Sequence, residues 1–165
     1  MKKFNEKYHQ LITLLGRLIL GGVLLAAGGL KAFVPSDAAN AVAAYKILPT
    51  LIAHIVGYAI PWLEIAIGLL LIIGISVRLA AIMGGLVMLI FVAAIISVWA
   101  RGLLIDCGCF GGGGVIDPSK AAEVHRTYLI EIIRDLALAL TAIYLYFYPY
   151  GFLAVEKSAI ENEET

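Results

Sequence analysis

Four stretches of the chain each contain about 20 consecutive, mostly apolar residues, the length that a helix needs to cross the hydrocarbon core of a bilayer. They cover roughly residues 11–33, 51–75, 79–100 and 128–148. Hydrocarbon offers no hydrogen-bond partner to free backbone groups, so a stretch that crosses it must be helical. The pattern therefore predicts an all-α, polytopic membrane protein, built as a bundle of four transmembrane helices.

The composition supports this class of protein. Hydrophobic residues make up 62% of the 165 residues and charged residues 15%, whereas soluble domains average about 45–50% and about 25%. The formal net charge is zero, so nothing in the charge balance favours a nucleic-acid partner. The length suits one domain, and we expect residues 1–165 to form a single membrane domain whose partner is the lipid bilayer.

The segments outside the four stretches have different characters. Residues 35–49 read PSDAANAVAAYKILP, with apolar residues every three or four positions. This spacing predicts a short helix at the membrane interface after the first span, capped by Ser36 or Asp37. Residues 101–127 form the longest connection, and residues 156–165 form a polar tail.

The orientation in the membrane depends on basic residues, which favour the cytoplasmic side in short loops. If both termini are inside, five basic residues lie on each side: Lys2, Lys3, Lys7, Arg78 and Lys157 inside, and Lys31, Lys46, Arg101, Lys120 and Arg126 outside. The basic flank of the first span breaks the tie and favours cytoplasmic termini. We therefore expect a multi-pass protein of the bacterial plasma membrane, with the loop at 101–127 on the outer face.

Both cysteines lie in the stretch DCGCFG, residues 106–111, which three further glycines follow. A disulfide between Cys107 and Cys109 closes a very small ring, so loop closure adds little stability. Strained disulfides are the more oxidising and labile ones, and disulfide chemistry persists outside the cytosol. The pattern favours a redox-active dithiol/disulfide pair over a structural cross-link. Because the thiolate is the reactive form, we expect one cysteine to have a lowered pKa beside Lys120, Arg126 or His125.

Two other interpretations of the cysteine pair stay open. The first is metal ligation together with Asp106, His125 or His54, although the chain lacks the paired CxxC spacing that marks zinc sites, and we assign no metal ligands. The second is a tight turn in which both cysteines are inert small hydrophobic residues.

Charged residues inside the apolar stretches are costly, so each should face the bundle and have a partner. Arg17 and Lys31 are the candidates to pair with Glu64, and an ion pair that stabilises the bundle is the favoured interpretation there.

A second group of polar residues lies close in sequence to the cysteines. Glu131 and Asp135 are four residues apart on one helix face, with Arg134 beside them. Glu131, Arg134 and His125 are candidates for a proton or quinone site near the dithiol, since histidine shuttles protons near neutral pH. Structural ion pairs and a surface histidine are the alternatives.

Several motifs resemble a known family. Arg17-Leu-Ile-Leu-Gly21, followed by Ala27-Gly28 and Lys31, resembles the first span of DoxX-like membrane proteins. The segment PWLEIAIGLLLIIGISVRLAA, residues 61–81, looks like that superfamily's second span and turn, and DCGCFG is similar to the cysteine loop of the methylamine utilisation protein MauE branch.

The resemblance implies a four-helix membrane bundle associated with redox chemistry. MauE-like proteins are linked to the maturation of a disulfide-rich periplasmic methylamine dehydrogenase subunit, beside a thioredoxin-fold partner. The family's functional residues carried over to this chain are Cys107 and Cys109. The architecture also resembles disulfide-generating membrane bundles that use a quinone, although those have CxxC where this chain has CxC.

The leading hypothesis is therefore a membrane redox protein. Cys107 and Cys109 would cycle between dithiol and disulfide at the outer face, exchanging electrons with an extracytoplasmic thioredoxin-fold protein and with membrane quinone. Two alternatives come from other classes: a non-catalytic accessory subunit of a larger membrane complex, and a metal-binding membrane protein.

Overall fold

The computed structural model describes residues 2–109 and 112–149 and is mostly helical. The five α-helices are α1 (Lys2–Phe33), α2 (Pro35–Ala44), α3 (Thr50–Ile73), α4 (Val77–Ala100) and α5 (Ala121–Phe147). Between α4 and α5 lie two short strands, β1 (Ile105–Asp106) and β2 (Gly114–Val115), and a single 3₁₀ turn, Pro118–Lys120. The predicted polar tail at 156–165 lies outside the described residues.

Three of the helices are long and apolar enough to cross a membrane within the described part of the chain: Tyr8–Phe33, Thr50–Ile73 and Val77–Ala100. They correspond to the first three predicted spans, and the protein is a membrane protein. Helix α5 begins at Ala121 rather than at residue 128 and has 27 residues. It differs from the three spans in composition because Glu131, Arg134 and Asp135 lie in its middle, so its crossing of the bilayer stays a prediction.

The helices pack in neighbouring pairs, α1 on α3 and α4 on α5, and α2 lies on α3. The contact between α1 and α3 depends on small residues. A Cβ atom added to Gly28 would lie 2.6 Å from the Pro61 carbonyl oxygen, and one added to Gly68 would lie 2.8 Å from the Gly21 carbonyl oxygen. These distances are too short for any side chain, so glycine permits the close approach that helix pairs in membranes use.

The outward faces of the helices are apolar. Trp62 on α3 is 63% exposed and Leu140 on α5 is 66% exposed, and many other large hydrophobic side chains share this position. A water-soluble protein rarely exposes continuous apolar surface. A surrounding of lipid chains explains the pattern.

Helix α2 differs from its prediction in one detail. It begins at Pro35, and its N-cap is Val34, without a side-chain cap from Ser36 or Asp37. Proline suits the first helical position, because its φ is already helical and it has no N–H group to satisfy. The buried face of α2 packs on α3 at Gly57, where an added Cβ would lie 2.5 Å from the Ala39 Cα.

The all-α prediction needs one amendment, because the cysteine loop contains a small antiparallel ladder. Ile105 pairs with Val115, and Asp106 with Gly114. Strands of two residues are too short to show an alternating pattern, so the sequence could not reveal them. The buried Tyr128 hydroxyl secures this ladder: it accepts from the Ile105 N–H at 3.0 Å and donates to the Ile105 carbonyl at 2.8 Å.

The opposite end of the molecule is joined by polar contacts between α1 and its neighbours. The Thr13 hydroxyl donates to the Tyr148 carbonyl at 3.0 Å. Arg17, which is fully buried, donates from Nε to the Leu71 carbonyl at 2.8 Å and from Nη2 to the Ile72 carbonyl at 3.0 Å. Arg17 therefore satisfies carbonyl groups at the C-terminal end of α3, where a positive charge is also favourable.

Candidate functional site

The turn of the cysteine loop places two free thiols against α2. Cys107 and Cys109 are 8% and 6% exposed. Gly108 between them has φ +68°, and a Cβ atom added there would lie 2.6 Å from the Ala41 Cβ. The left-handed backbone and the tight contact both require glycine. The glycine between the two cysteines therefore allows the cysteine turn to pack closely against α2.

The Cys107 sulfur is the centre of a small hydrogen-bonded group. Its thiol donates to Glu131 Oε1 at 2.7 Å, and its sulfur accepts from the Cys109 N–H at 3.3 Å. The two sulfur atoms and a Glu131 carboxylate oxygen all lie within 4.8 Å of one another. In this arrangement the Glu131 carboxylate can accept the proton of Cys107, and the Cys109 sulfur lies close by. The same three atoms are also a set of ligands that a soft metal ion accepts.

The electrostatics of Cys107 differ from the prediction. The side-chain interaction with the Cys109 thiol raises the pKa of the Cys107 thiol well above its ordinary value, and burial and the charges of Cys109 and Glu131 raise it further. Cys107 is therefore not a cysteine with the lowered pKa expected for one of the pair. The reason is that its closest charged neighbour is an acid, whereas His125 is exposed and lies against the Trp99 ring at 5.9 Å. Cys107 needs a base to become a nucleophile near neutral pH, and Glu131 is in contact with it.

A second acidic group lies one helical turn beyond Glu131. Asp135 is 1% exposed and forms an ion pair with Arg134 at 2.8 Å. Arg134 also interacts with Cys109. The predicted candidates Cys107, Cys109, Glu131 and Arg134 are therefore brought together, while His125 contacts the rings of Trp99 and Tyr128.

A second ion pair among the described residues joins α1 to α3. Lys31 Nζ lies 2.7 Å from Glu64 Oε1, and both side chains are almost completely buried. Lys31, rather than Arg17, is thus the partner of Glu64. The Lys31 ammonium also lies 5.1 Å from the centroid of the Phe91 ring, a cation–π contact.

An apolar cavity of about 210 Å³ ends at the cysteines. Its walls come from α2, α3 and α4, and its polar groups are on Lys31 and Tyr45. Ile47 and Ile90 on its wall are 53% and 54% exposed. The cavity therefore opens among side chains of the kind that face lipid.

Tyr45 is a site residue that sequence reasoning missed, because an aromatic residue near the end of a helix also fits an interfacial position. Its hydroxyl donates to the Cys107 carbonyl at 3.0 Å. Burial raises the pKa of this hydroxyl, and the two cysteines and Glu131 raise it further. Tyr45 therefore stays protonated and serves as a hydrogen-bond donor that holds the cysteine turn.

Taken together, the fold and the site define a membrane protein of long apolar helices that holds two free thiols beside a buried carboxylate. Residues 9–148 match the family model described as methylamine utilisation protein MauE, and the chain belongs to this family. A curated relative, methylamine utilization protein MauE of Methylophilus methylotrophus, is 27% identical over 135 residues, which cover 81% of this chain and 67% of that protein. No solved structure matches the chain. The MauE part of the resemblance is confirmed, and the link to the DoxX-like superfamily stays a prediction.

Proposed function

We propose that this MauE-family protein carries out thiol–disulfide exchange through Cys107 and Cys109. The observation that carries the proposal is the 2.7 Å hydrogen bond from the Cys107 thiol to Glu131 Oε1, with the second thiol close by. Nucleophilic thiols need an adjacent base or a lowered pKa. Because the Cys107 pKa is raised, the adjacent base is the feature that makes exchange feasible here.

The exchange has two half-reactions that balance. A dithiol on a thioredoxin-fold partner attacks the Cys107–Cys109 disulfide, and the partner leaves as a disulfide while both cysteines become thiols. To restore the disulfide, both S–H bonds break, the S–S bond forms, and two electrons and two protons leave the site. Glu131 accepts the proton of Cys107 in this second step.

We assign membrane quinone as the electron acceptor of the second half-reaction. The apolar cavity that ends at the cysteines supports this assignment, since its mouth lies among exposed apolar side chains of α3 and α4. A quinone bound there supplies an acceptor for two electrons and two protons. Lys31 is the charged donor of this wall, and it would bind a ring oxygen atom, whereas the Tyr45 hydroxyl already donates to the Cys107 carbonyl.

The proposal includes a topology. We place α5 as a fourth transmembrane helix in a single membrane domain, with both termini in the cytoplasm of a bacterial cell and the cysteine loop on the outer face. The packing of α5 along α4 supports this arrangement. The charged residues in the middle of α5 support it too, because each has a partner, and charged side chains in transmembrane helices are normally paired inside the bundle. The proposed chemistry requires a partner that carries thiols. The family description, methylamine utilisation, does not identify that partner.

Substitution of both cysteines tests the proposal. In a Cys107→Ala/Cys109→Ala variant, we expect the protein to assemble normally in membranes and to lose exchange with a reduced thioredoxin-fold protein. Labelling with a membrane-impermeant maleimide, before and after reduction of intact cells, reports the topology and the redox state of the pair together. Retained activity in the double variant would support the accessory-subunit alternative, in which the loop is a docking turn.

A metal site is the second candidate function, and the 4.8 Å grouping of two sulfur atoms and one carboxylate favours it. Elemental analysis of protein purified without chelators decides between the two. A stoichiometric metal in the wild type that disappears in Cys107→Ala supports metal binding. A metal-free protein whose thiols oxidise reversibly supports exchange.

A further inference from the structure

A second, much smaller cavity lies beside the cysteines, on the side away from α2. Its volume is about 10 Å³, and four polar residues line it together with apolar side chains: Glu64, Cys109, Arg134 and Asp135. A buried cavity needs about 10–15 Å³ of this kind of volume, and two to four polar partners, to hold one water molecule. The cavity therefore has the size and the lining of a single-water site.

Two unpartnered carboxylate oxygens belong to residues of this cavity. Glu64 Oε2 and Asp135 Oδ2 are buried and have no hydrogen-bond partner among the described residues. Glu64 is 0% exposed and Asp135 is 1% exposed. Buried polar atoms almost always have a partner, from protein or from ordered water. A water molecule in this cavity would satisfy both oxygens.

The two thiols differ in their access to a base. Cys107 donates to Glu131, whereas Cys109 interacts with Arg134, and a guanidinium group cannot accept a proton. Formation of the disulfide nevertheless requires that Cys109 also lose its proton. Glu131 lies near both sulfur atoms, but it takes the proton of Cys107, so the proton of Cys109 needs another acceptor. The small cavity, which Cys109 lines, contains two further carboxylates, on Asp135 and Glu64.

We propose that a water molecule in the small cavity takes the Cys109 proton to Asp135 and Glu64, and that the Lys31–Glu64 pair passes it to the larger apolar cavity. This inference rests on the proposed function. Lys31 lines the larger cavity, Glu64 lines the smaller one, and 2.7 Å separates their charged atoms. The pair thus connects the two cavities, and Cys109 lines both.

The protons and electrons balance along this route. Two S–H bonds break, one S–S bond forms, and a bound quinone gains two electrons and two protons to become a quinol. One proton passes from Cys107 to Glu131 and is released to bulk water, from which the quinone takes its other proton. The other leaves Cys109 through the water and the carboxylates. Lys31 donates a proton into the larger cavity and regains one from Glu64, so its charge is unchanged after a turnover.

The charged and titratable groups around the water site come from three of the helices packed against it and from the cysteine loop, while α4 contributes the apolar side chains of Met88 and Phe91. They are Lys31 from α1, Glu64 from α3, Glu131, Arg134 and Asp135 from α5, and Cys107 and Cys109 from the loop.

The first test measures disulfide formation in full-length, reduced protein in lipid nanodiscs. The oxidant is either a short-chain ubiquinone analogue or diamide, a soluble thiol oxidant. With the quinone analogue, we expect Asp135→Asn and Glu64→Gln to slow disulfide formation by about a hundredfold, the scale of a positioned proton acceptor. Asp135→Glu should recover most of the rate, because it restores the carboxylate. Glu123→Gln, an exposed carboxylate on the same helix, is the matched control and should keep the wild-type rate.

The second test detects the water molecule itself, independently of turnover. Infrared spectra of the dithiol form, recorded in ordinary water and in H₂¹⁸O, should contain an isotope-sensitive O–H stretching band of an isolated water. The band should disappear in Asp135→Asn and persist in Glu123→Gln.

The outcomes separate this inference from the proposed function. Wild-type rates in both carboxylate variants, or the absence of an isotope-sensitive band, overturn the water route and leave thiol exchange intact. If Asp135→Asn slows disulfide formation and Asp135→Glu does not recover the rate, Asp135 has a structural role and the water route is also overturned. If the wild type forms no disulfide even with diamide, the proposed function fails and the water route fails with it.

Discussion

Glu131 on α5 accepts a 2.7 Å hydrogen bond from the thiol of Cys107, 24 residues earlier in the chain. Both side chains are 8% exposed. A buried carboxylate whose partner is a thiol is energetically costly, because a charge buried without an opposite charge beside it is strongly unfavourable. Glu131 Oε2 has no partner among the described residues, so the carboxylate retains an unused acceptor.

Replacement of Glu131 by glutamine removes the base and keeps the shape of the side chain. We expect disulfide formation by the short-chain ubiquinone analogue, the step in which Cys107 loses its proton, to fall by about a hundredfold at neutral pH. The loss should shrink as the pH rises, because hydroxide then ionises the thiol without help. Stopped-flow rates measured across the pH range check this, with Glu123→Gln as the control. A pH-independent loss contradicts the role of Glu131 as the base.

Removal of the second thiol should make Cys107 easier to ionise. The hydrogen bond with Cys109 is the first cause of the raised Cys107 pKa, so Cys109→Ala should lower that pKa. The pH at which iodoacetamide reacts half-maximally with Cys107 should therefore be lower in Cys109→Ala than in Cys109→Ser, which keeps a hydrogen-bonding group. Equal midpoints in the two variants would mean that burial and Glu131, and not the hydrogen bond with Cys109, raise the pKa of Cys107.

Gly108→Ala should displace the cysteine turn. The new Cβ atom would lie 2.6 Å from the Ala41 Cβ at a residue with φ +68°, and the backbone strain alone costs about 1–2 kcal/mol. Gly102→Ala is a matched control, because Gly102 has φ +65° and nothing within 4 Å of an added Cβ. We expect a larger fall in thermal stability, and faster alkylation of Cys109, in Gly108→Ala. An Ala41→Gly substitution in the same chain should recover part of the loss.

Lys31→Met should destabilise the bundle by about 3–5 kcal/mol, because it leaves the Glu64 carboxylate buried without its partner. Adding Glu64→Leu should recover most of this loss, since replacement of a whole buried ion pair by apolar residues is often close to neutral. Thermal unfolding in detergent, followed by circular dichroism, measures both variants. A Lys31→Met variant as stable as the wild type contradicts a structural role for this pair.

Ala94→Phe should fill the larger cavity and block access from the bilayer. Ala94 lines that cavity, whereas the neighbouring Ala93 is exposed and does not. We expect Ala94→Phe to abolish disulfide formation by the short-chain ubiquinone analogue while exchange with a reduced thioredoxin-fold protein continues. Ala93→Phe should leave both reactions unchanged. Loss of both reactions in Ala94→Phe would mean that the cavity supports the cysteine turn and does not admit the acceptor.

The helical part of the fold could be predicted from local sequence because apolar length is a local property. The first three predicted spans agree with the long apolar helices to within a few residues. The charged middle of α5 weakens this signal, and the two-residue strands beside the cysteines give none, since each is shorter than any period that a pattern can show.

The sequence by itself determined that the chain enters a membrane and that its two cysteines lie one residue apart, because composition and spacing are properties of the linear chain. Tertiary structure alone decided that Cys107 meets Glu131, that Glu64 pairs with Lys31 and not with Arg17, and that Tyr45 holds the turn. These contacts join residues that are 24 to 62 positions apart. The packing of helices in three dimensions selects such partners, and no local pattern encodes that choice.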